Sequence, residues 1–355
     1  MEQVEIGDAI LYCGDALDVA RSLPDNSVDL IATDPPYFKV KKEEWDHQWD
    51  KPAEFLAWLS GHLEEWQRIL KPNGSLYVFA SPRMAARVEV ATLDRFNVLN
   101  HIVWNKTDAG GWHRQACKDA LRRFFPATER LVFAEHYGAD NVAKGEAGYQ
   151  AKCDELRGFV FEPLRAYLSE ERDRAGWTTR QVANAFPKKI GNRCVTGMPG
   201  HWFGCSQWRL PTEKDYQWLQ DLFNDKGTSY LTREYEDLKR EYEDLKREYE
   251  DLRRPFRVTA EVPYTDVWTF KTVQAYQGRH PCEKPLDLME HIIRSSSKKG
   301  AVVADFFMGG GTTVQAALNL GRKAIGVDKA ERWYNFAANR IEDAQRQQRL
   351  NWIDK

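Results

Sequence analysis

Residues 301–328 impose the strongest constraint on the fold. Ala301-Val302-Val303-Ala304 is a short apolar run, and Asp305 to Thr313 contains the consecutive glycines Gly309, Gly310 and Gly311. Thr312 to Leu320 then reads as a helix, and Ala324-Ile325-Gly326-Val327 is a second apolar run. Strand, glycine-rich turn, helix and strand make a βαβ unit, which implies a mostly parallel sheet. Strands that are apolar without alternation are buried on both faces. Gly321 stands where a left-handed C′ residue would end the helix. The other end of the chain has the same grammar. Ile10–Cys13, Val28–Ala32 and Ser75–Phe79 read as strands. Phe55, Leu56, Leu59, Leu63, Trp66 and Leu70 are spaced as one helical face, closed by Lys71-Pro72-Asn73-Gly74. The expected fold class is α/β, with the sheet built from both chain ends.

The middle is different. Arg233 to Arg254 contains three near-identical heptads, with Tyr235, Tyr242 and Tyr249 seven apart and Leu238, Leu245 and Leu252 seven apart. Tyr and Leu form one a/d-type stripe, so 233–254 is predicted to be one helix of roughly 33 Å. Glu236–Arg240, Glu243–Arg247 and Glu250–Arg254 are predicted i,i+4 pairs, and Pro255 forbids continuation. Two readings of this helix stay open: a brace packed on its own chain, or a coiled coil that forms a homodimer. Upstream, Leu168 to Arg172 starts a helix with a Ser169 cap, Gly176-Trp177-Thr178 turns, and Thr179–Phe186 starts a second helix. That is a helix-turn-helix pattern. The expected division is 1–135 with 256–355 as one domain, 136–228 as a helical insert, and 229–255 as the heptad helix.

The 355 residues carry a formal net charge of −2, which on average argues against a polyanionic partner. The average is misleading. The heptad helix holds seven basic and nine acidic residues, whereas 164–214 holds nine basic and four acidic. Cys13, Cys117, Cys153, Cys194, Cys205 and Cys282 show no C-x-x-C pair, as expected of a reduced cytoplasmic protein. The spacing of His201, Cys194 and Cys205 is irregular, so no metal is expected. No apolar stretch approaches the ~20 residues of a membrane span, and the first residues lack the basic start and apolar run of a signal peptide.

Asp34-Pro35-Pro36-Tyr37 follows the strand that ends near Thr33. The prolines stiffen the backbone and leave carbonyls free. A carboxylate, a fixed carbonyl and an aromatic ring then converge beyond a strand's carboxyl end, the usual ligand position in open α/β sheets. An exocyclic aromatic amine needs such a site. Its lone pair is delocalised into the ring, and two acceptors can bind its N–H groups and favour a pyramidal nitrogen. In the glycine loop, Val314 replaces the third glycine of a dinucleotide fingerprint, and no Walker lysine is present. Asp328 lies where a carboxylate could grip ribose hydroxyls. A nucleoside ligand without pyrophosphate fits best.

These motifs together resemble the DNA amino-methyltransferases. Asp34-Pro35-Pro36-Tyr37 matches their catalytic tetrapeptide, and Phe307, Gly309 and Gly311 match the F-x-G-x-G cofactor loop. His280-Pro281-Cys282-Glu283-Lys284-Pro285 resembles the H-P-x-x-K-P element, and Gly14-Asp15 resembles an adenine-contacting segment. Leu70-Lys71-Pro72-Asn73-Gly74-Ser75 is also family-like. Phe306 and Gly310 depart from the family's usual Pro and Ser. The motif order resembles the beta group, in which the region between the motifs reads the target. Residues 197–203 and 206–212 resemble the insert of phage and prophage methyltransferases. The resemblance implies a Rossmann-like fold, S-adenosylmethionine as cofactor and double-stranded DNA as partner. It makes Asp34, Pro35, Pro36 and Tyr37 catalytic. Asp15, Lys284, Asp305, Phe307, Gly309, Gly311, Thr312, Thr313 and Asp328 would hold the cofactor. Asp at position 34 is the adenine-N6 preference and Ser the cytosine-N4 one. Phe38 would help to stack the flipped base. Arg114, Lys118 and Arg122 recur every four residues as phosphate contacts, and Arg180, Gln181 and Asn184 are expected base readers. The competing readings are a cytosine-N4 enzyme, a non-catalytic helix-turn-helix regulator, and a protein-glutamine methyltransferase, a family that typically has Asn in place of Asp34.

Overall fold

A computed structural model describes residues 2–40, 43–106, 122, 124, 127–136, 156–186, 198–205, 208–225, 227–258, 265–274 and 276–353. The chain divides into two units, Met1–Lys144 with Arg254–Lys355, and Gly145–Arg253. The heptad helix falls within the second of these units.

The first unit begins with β1 (Glu2–Ile6), β2 (Ala9–Cys13), α1 (Ala16–Ser22), β3 (Val28–Thr33) and α2 (Pro52–Ile69). It continues with β4 (Leu70–Ala80), α3 (Ala85–Leu93), β5 (Asn97–Asn105) and β6 (Thr128–Glu135). The insert supplies α4 (Glu162–Arg174), α5 (Thr179–Ala185), α6 (Met198–Phe203), α7 (Glu213–Phe223) and α8 (Tyr235–Leu252). The return adds β7 (Val267–Thr269), α9 (Leu286–Ser296), β8 (Val302–Asp305), α10 (Thr312–Asn319), β9 (Lys323–Asp328) and α11 (Glu331–Ile353).

The described strands form one sheet in the order β1-β2-β9-β8-β3-β4-β6-β5-β7. The central five, from β2 to β4, are mutually parallel, and both flanks add antiparallel pairs. β3 connects through α2 to β4 on one side, whereas β8 connects through α10 to β9 on the other. The order thus reverses between β3 and β8, and ligands bind open α/β sheets at such a point, beyond the carboxyl ends of the strands. Leu288, Ile292, Ala316, Ala317 and Ile341 of α9–α11 cover one face of the sheet. Val19, Leu59, Leu63, Trp66 and Val88 of α1–α3 cover the other.

The predicted breaker at 71–74 does not end in a free turn. β4 starts at Leu70, and the register against β3 slips between the pairs Val28–Leu70 and Leu30–Ser75. Lys71–Gly74 stand opposite the single residue Asp29, an excess that a bulged strand absorbs. At the neck of the insert, Glu135 closes β6 and Arg254 reopens the first unit. The Arg254 Nε donates to Glu135 Oε2 at 2.8 Å, with both side chains buried.

In the second unit, Leu164, Leu168, Val182, Trp202, Phe203, Trp208, Tyr216, Leu219 and Phe223 form the core. α4 begins at Glu162, so Ser169 lies within a helix rather than capping one. The turn comes where expected, with Gly176 at φ +78°, and Thr178 caps α5. The heptad stripe packs on this core. Leu238 and Tyr249 are buried, Tyr235 lies 5.9 Å from Tyr216, and Tyr242 lies 5.5 Å from Phe161 between ring centroids. The face a coiled coil would pair is therefore largely covered by the chain itself, which matches the brace. α8 also stops at Leu252, and its charges pair at i,i+3, as in Arg240–Asp237 at 3.5 Å, while Arg254 pairs with Glu135. Truncating the fully buried Leu238 to Ala is expected to cost the insert about 2–5 kcal/mol in denaturant unfolding. The same change at exposed Leu252 stays within about 0.5 kcal/mol. Equal effects would contradict the brace. Among the described residues no helix is long and apolar enough to cross a membrane.

Candidate active site

β3 and β8 run side by side, so the residues after them meet. Thr33 Oγ1 donates to Asp305 Oδ1 at 2.9 Å, and the Phe306 N–H donates to Thr33 Oγ1 at 3.2 Å. This stitch brings the prolyl tetrapeptide and the glycine loop to one cavity of about 380 Å³. Asp34, Pro35, Pro36 and Tyr37 line one end of it, and Asp15, Phe307, Gly309, Thr312, Thr313 and Asp328 line the other.

At the first end, the Lys284 ammonium holds Asp34 Oδ2, while Asp34 Oδ1 is buried without a hydrogen-bond partner among the described residues. Burial raises the Asp34 pKa, and Lys284 opposes that rise. Lys284 also approaches Glu129 Oε2 at 3.4 Å and lies over the rings of Phe79 and Tyr37 at 4.8 and 5.3 Å. Burial disfavours its charge, yet the carboxylates of Asp34 and Glu129 override that and raise its pKa. Glu129 shows the converse. Burial would raise its pKa, but Lys284 and Lys106 bring it down to about 2. The Tyr37 hydroxyl donates to Glu129 Oε2 at 2.9 Å, and burial keeps the phenol neutral.

The backbone beyond Tyr37 is strained. Phe38 and Lys39 both have positive φ, at +63° and +58°. The buried Asp46 carboxylate holds this turn, accepting from the Tyr37 N–H at 2.7 Å and the Val40 N–H at 2.6 Å. Phe38 points into the core, 6.0 Å from Phe55 between ring centroids. That corrects its expected place against a flipped base: its ring is part of the α2 packing and does not line the cavity.

At the second end, Asp305 accepts from Thr313 Oγ1 at 2.6 Å and from the Phe307 N–H at 3.1 Å, and burial raises its pKa to about 6. Asp328 accepts from the Gly309 N–H at 3.0 Å and the Ala330 N–H at 2.8 Å, and burial likewise raises it to about 6. Phe307 meets Trp58 and His62 at 5.6 and 5.7 Å, forming an aromatic wall. Gly311 has φ +76°, and a Cβ there would stand 2.9 Å from the Ala337 Cβ on α11. A Cβ on Gly309 would stand 2.9 Å from the His280 ring. Gly309 packs on the protein while lining the cavity, whereas Gly311 packs against α11 and is not among the lining residues. Phe306, where the family usually has Pro, is buried and stacked on Trp66. Asp15 caps α1 through the Leu17 N–H at 3.0 Å and lies 3.5 Å from the Lys329 ammonium.

The sequence placed Lys284 with the cofactor residues, whereas its ammonium sits on Asp34 and Glu129. Glu129, Lys106, Asp46, Trp58 and His62 were missed altogether. Of the expected DNA contacts, Arg114 and Lys118 lie outside the described residues, and Arg122 is exposed. Arg180 and Asn184 are exposed one turn apart on α5. The Gln181 Oε1 accepts from the Thr178 N–H at 2.8 Å, so this side chain closes a capping box.

The Type II methyltransferase M.HinfI of Haemophilus influenzae is 23% identical over 351 residues, covering 93% of this chain and 67% of that protein. The Type II methyltransferase M2.DpnII of Streptococcus pneumoniae is 42% identical over 80 residues, covering 22% of this chain and 30% of that protein. Among solved structures, the PvuII cytosine-N4-specific DNA methyltransferase aligns with TM-score 0.51 and 16% identity, covering 95% of this chain and 90% of that one, a likeness of fold. The family uses S-adenosylmethionine, and the residues present fit it: an aromatic wall, a carboxylate at the end of β9 and an unpartnered Asp34 oxygen share one cavity of nucleoside size. Residues 28–339 match the N6/N4 DNA methylase model, and the chain belongs to that family.

Proposed function

We propose that this chain methylates the N6 amine of adenine in double-stranded DNA, with the target base flipped out of the duplex. The observation that carries this reading is the buried Asp34 Oδ1, without a hydrogen-bond partner among the described residues, set beside Pro35 and Tyr37 at the cavity wall. Flipping is needed because the amine is paired inside the duplex, and it costs a few kcal/mol. Tyr37 stacks on the base. Asp34 Oδ1 and the Pro35 carbonyl accept the two N–H groups of the amine. When bound, S-adenosylmethionine would supply the methyl group, the S–CH₃ electron pair staying with sulfur as the amine nitrogen bonds the carbon and gives up one proton. Asp34, with a pKa raised by burial, accepts that proton. Positioning supplies much of the rate. Asp34 in place of Ser favours adenine over cytosine. The exposed Arg180 and Asn184 on α5 support a DNA-reading role for the insert. The test is transfer of labelled methyl groups to DNA followed by nucleoside analysis. N6-methyladenine is expected, N4-methylcytosine as the sole product refutes the base assignment, and label on RNA alone refutes the substrate class.

Asp328, Asp15, Asp305, Phe307, Gly309, Thr312 and Thr313 hold the cofactor in this reading, Gly311 shapes the loop behind them, and Asp328 accepts from the ribose hydroxyls as a carboxylate. Its raised value of about 6 sets the pH dependence. Cofactor affinity is expected to fall about tenfold from about pH 7 to about pH 5 by calorimetry, as the carboxylate is protonated. For the ligand-free protein the sign reverses. A buried acid that binds protons more tightly when folded makes stability fall as pH rises from about 4 to about 6. An affinity that does not change with pH would remove Asp328 from the ribose.

A further inference from the structure

No motif marks Glu129, yet three groups of the catalytic end converge on its carboxylate. Oε2 accepts from the Tyr37 hydroxyl at 2.9 Å and faces the Lys284 ammonium at 3.4 Å, and Oε1 takes the Lys106 ammonium. Asp34, Lys284, Glu129 and Lys106 thus alternate in sign along a row whose members are largely buried. The row is anchored on the sheet. Glu129 stands opposite Trp104 in the β5–β6 ladder, and the Lys106 N–H continues that ladder to the Ala127 carbonyl at 3.0 Å. The Lys106 ammonium also lies 4.7 Å from the Trp104 ring centroid.

A lysine is a point charge on a flexible four-carbon stem, so one carboxylate contact does not fix it. Here two carboxylates and two aromatic rings surround the ammonium. A tyrosine ring is likewise fixed in plane only when its hydroxyl is anchored. Both constraints meet at the same Glu129 oxygen, while Asp34 touches the same two groups from the other side.

We propose that Glu129 is a positioning residue for methyl transfer: it fixes the Lys284 ammonium on one oxygen of Asp34 and anchors the Tyr37 hydroxyl, so that the other Asp34 oxygen and the Tyr37 ring are presented to the base. The inference rests on the reading of Asp34 as the acceptor of the target amine. The competing role is purely structural, with Glu129 present only to neutralise Lys106.

The test uses the full chain, labelled S-adenosylmethionine and DNA, counting all label on DNA whichever base carries it. Glu129→Gln keeps the shape and removes the charge. It is expected to lower the single-turnover rate on the order of 10–100-fold, the penalty of misplaced reacting groups. Cofactor affinity by calorimetry should stay within about twofold of native, because no cofactor residue is touched. The double variant Glu129→Gln/Lys106→Gln removes both charges and should be no faster than the single one. Recovery of the native rate in the double variant means neutralisation alone and overturns the inference. Should Glu129→Gln fail to fold, Tyr37→Phe breaks the same contact from the other side: slower transfer at unchanged cofactor affinity supports the inference, and an unchanged rate overturns it. A native chain that labels no DNA overturns the underlying reading and this inference with it. A native chain that labels DNA beside an equally fast Glu129→Gln overturns this inference alone.

Discussion

Asp34→Ala is expected to reduce methyl transfer by at least about a thousandfold while cofactor affinity changes by less than about threefold. The asymmetry follows from the geometry. Asp34 lines the cavity with the rest of the tetrapeptide, and its Oδ1 has no hydrogen-bond partner among the described residues, so in the proposed reading that oxygen takes the amine and leaves the cofactor loop untouched. Removing it deletes an acceptor whose interaction grows as positive charge develops on nitrogen, so the loss falls on the chemical step. The fold should tolerate the change, because Lys284 keeps Glu129 as a partner at 3.4 Å. Single-turnover rates and calorimetry with the cofactor measure the two sides separately. Equal loss of both would refute the assigned role.

Lys284→Met should destabilise the first unit by about 3–5 kcal/mol near neutral pH and bring transfer close to background. The ammonium lies between two buried carboxylates, and Met fills its volume without its charge. Asp34 and Glu129 then repel each other in a medium that screens poorly. The carboxyl whose pKa burial already raises, Asp34, takes up the proton that relieves the repulsion. A folded state that binds more protons than the unfolded one loses stability as pH rises. The deficit against the native chain should therefore be largest at neutral pH and shrink as the solution is acidified. Denaturant midpoints across pH show this directly. A deficit below about 1 kcal/mol at all pH values would mean that Lys284 does not bridge the pair.

The βα unit at 301–328 was legible because its signal is local: apolar runs, glycines and a helix in fixed succession. The tetrapeptide was legible for the same reason, and strand order then brought both motifs to the β3–β8 switch point. Glu129 was not legible. It lies 92 residues from Tyr37 in sequence, on a strand whose ends carry no motif, and only the antiparallel return of β6 beside β4 brings it near. Lys284 was found through its family-like element, but its contact with Asp34, 250 residues away, was not legible, because only the fold brings the two together. Phe38 was misplaced because adjacency to Tyr37 suggests a shared face, and the left-handed turn held by Asp46 sends the two rings apart. The heptad helix was found by periodicity, but periodicity does not say what covers a stripe. Phe161, Trp208 and Tyr216 cover this one.

The ion pair between Glu135 and Arg254 gives the chain a modular character. These residues are 119 positions apart, and their contact closes the base of the insert as a cord closes a bag. Once the ends of a segment are fixed, doubling its length costs only about 0.6 kcal/mol of closure entropy. Whatever is carried between them can lengthen, shrink or be exchanged while the catalytic sheet keeps its register. If the insert reads DNA as proposed, exchanging the segment between Glu135 and Arg254 is expected to change target preference, read out by sequencing the methylated DNA.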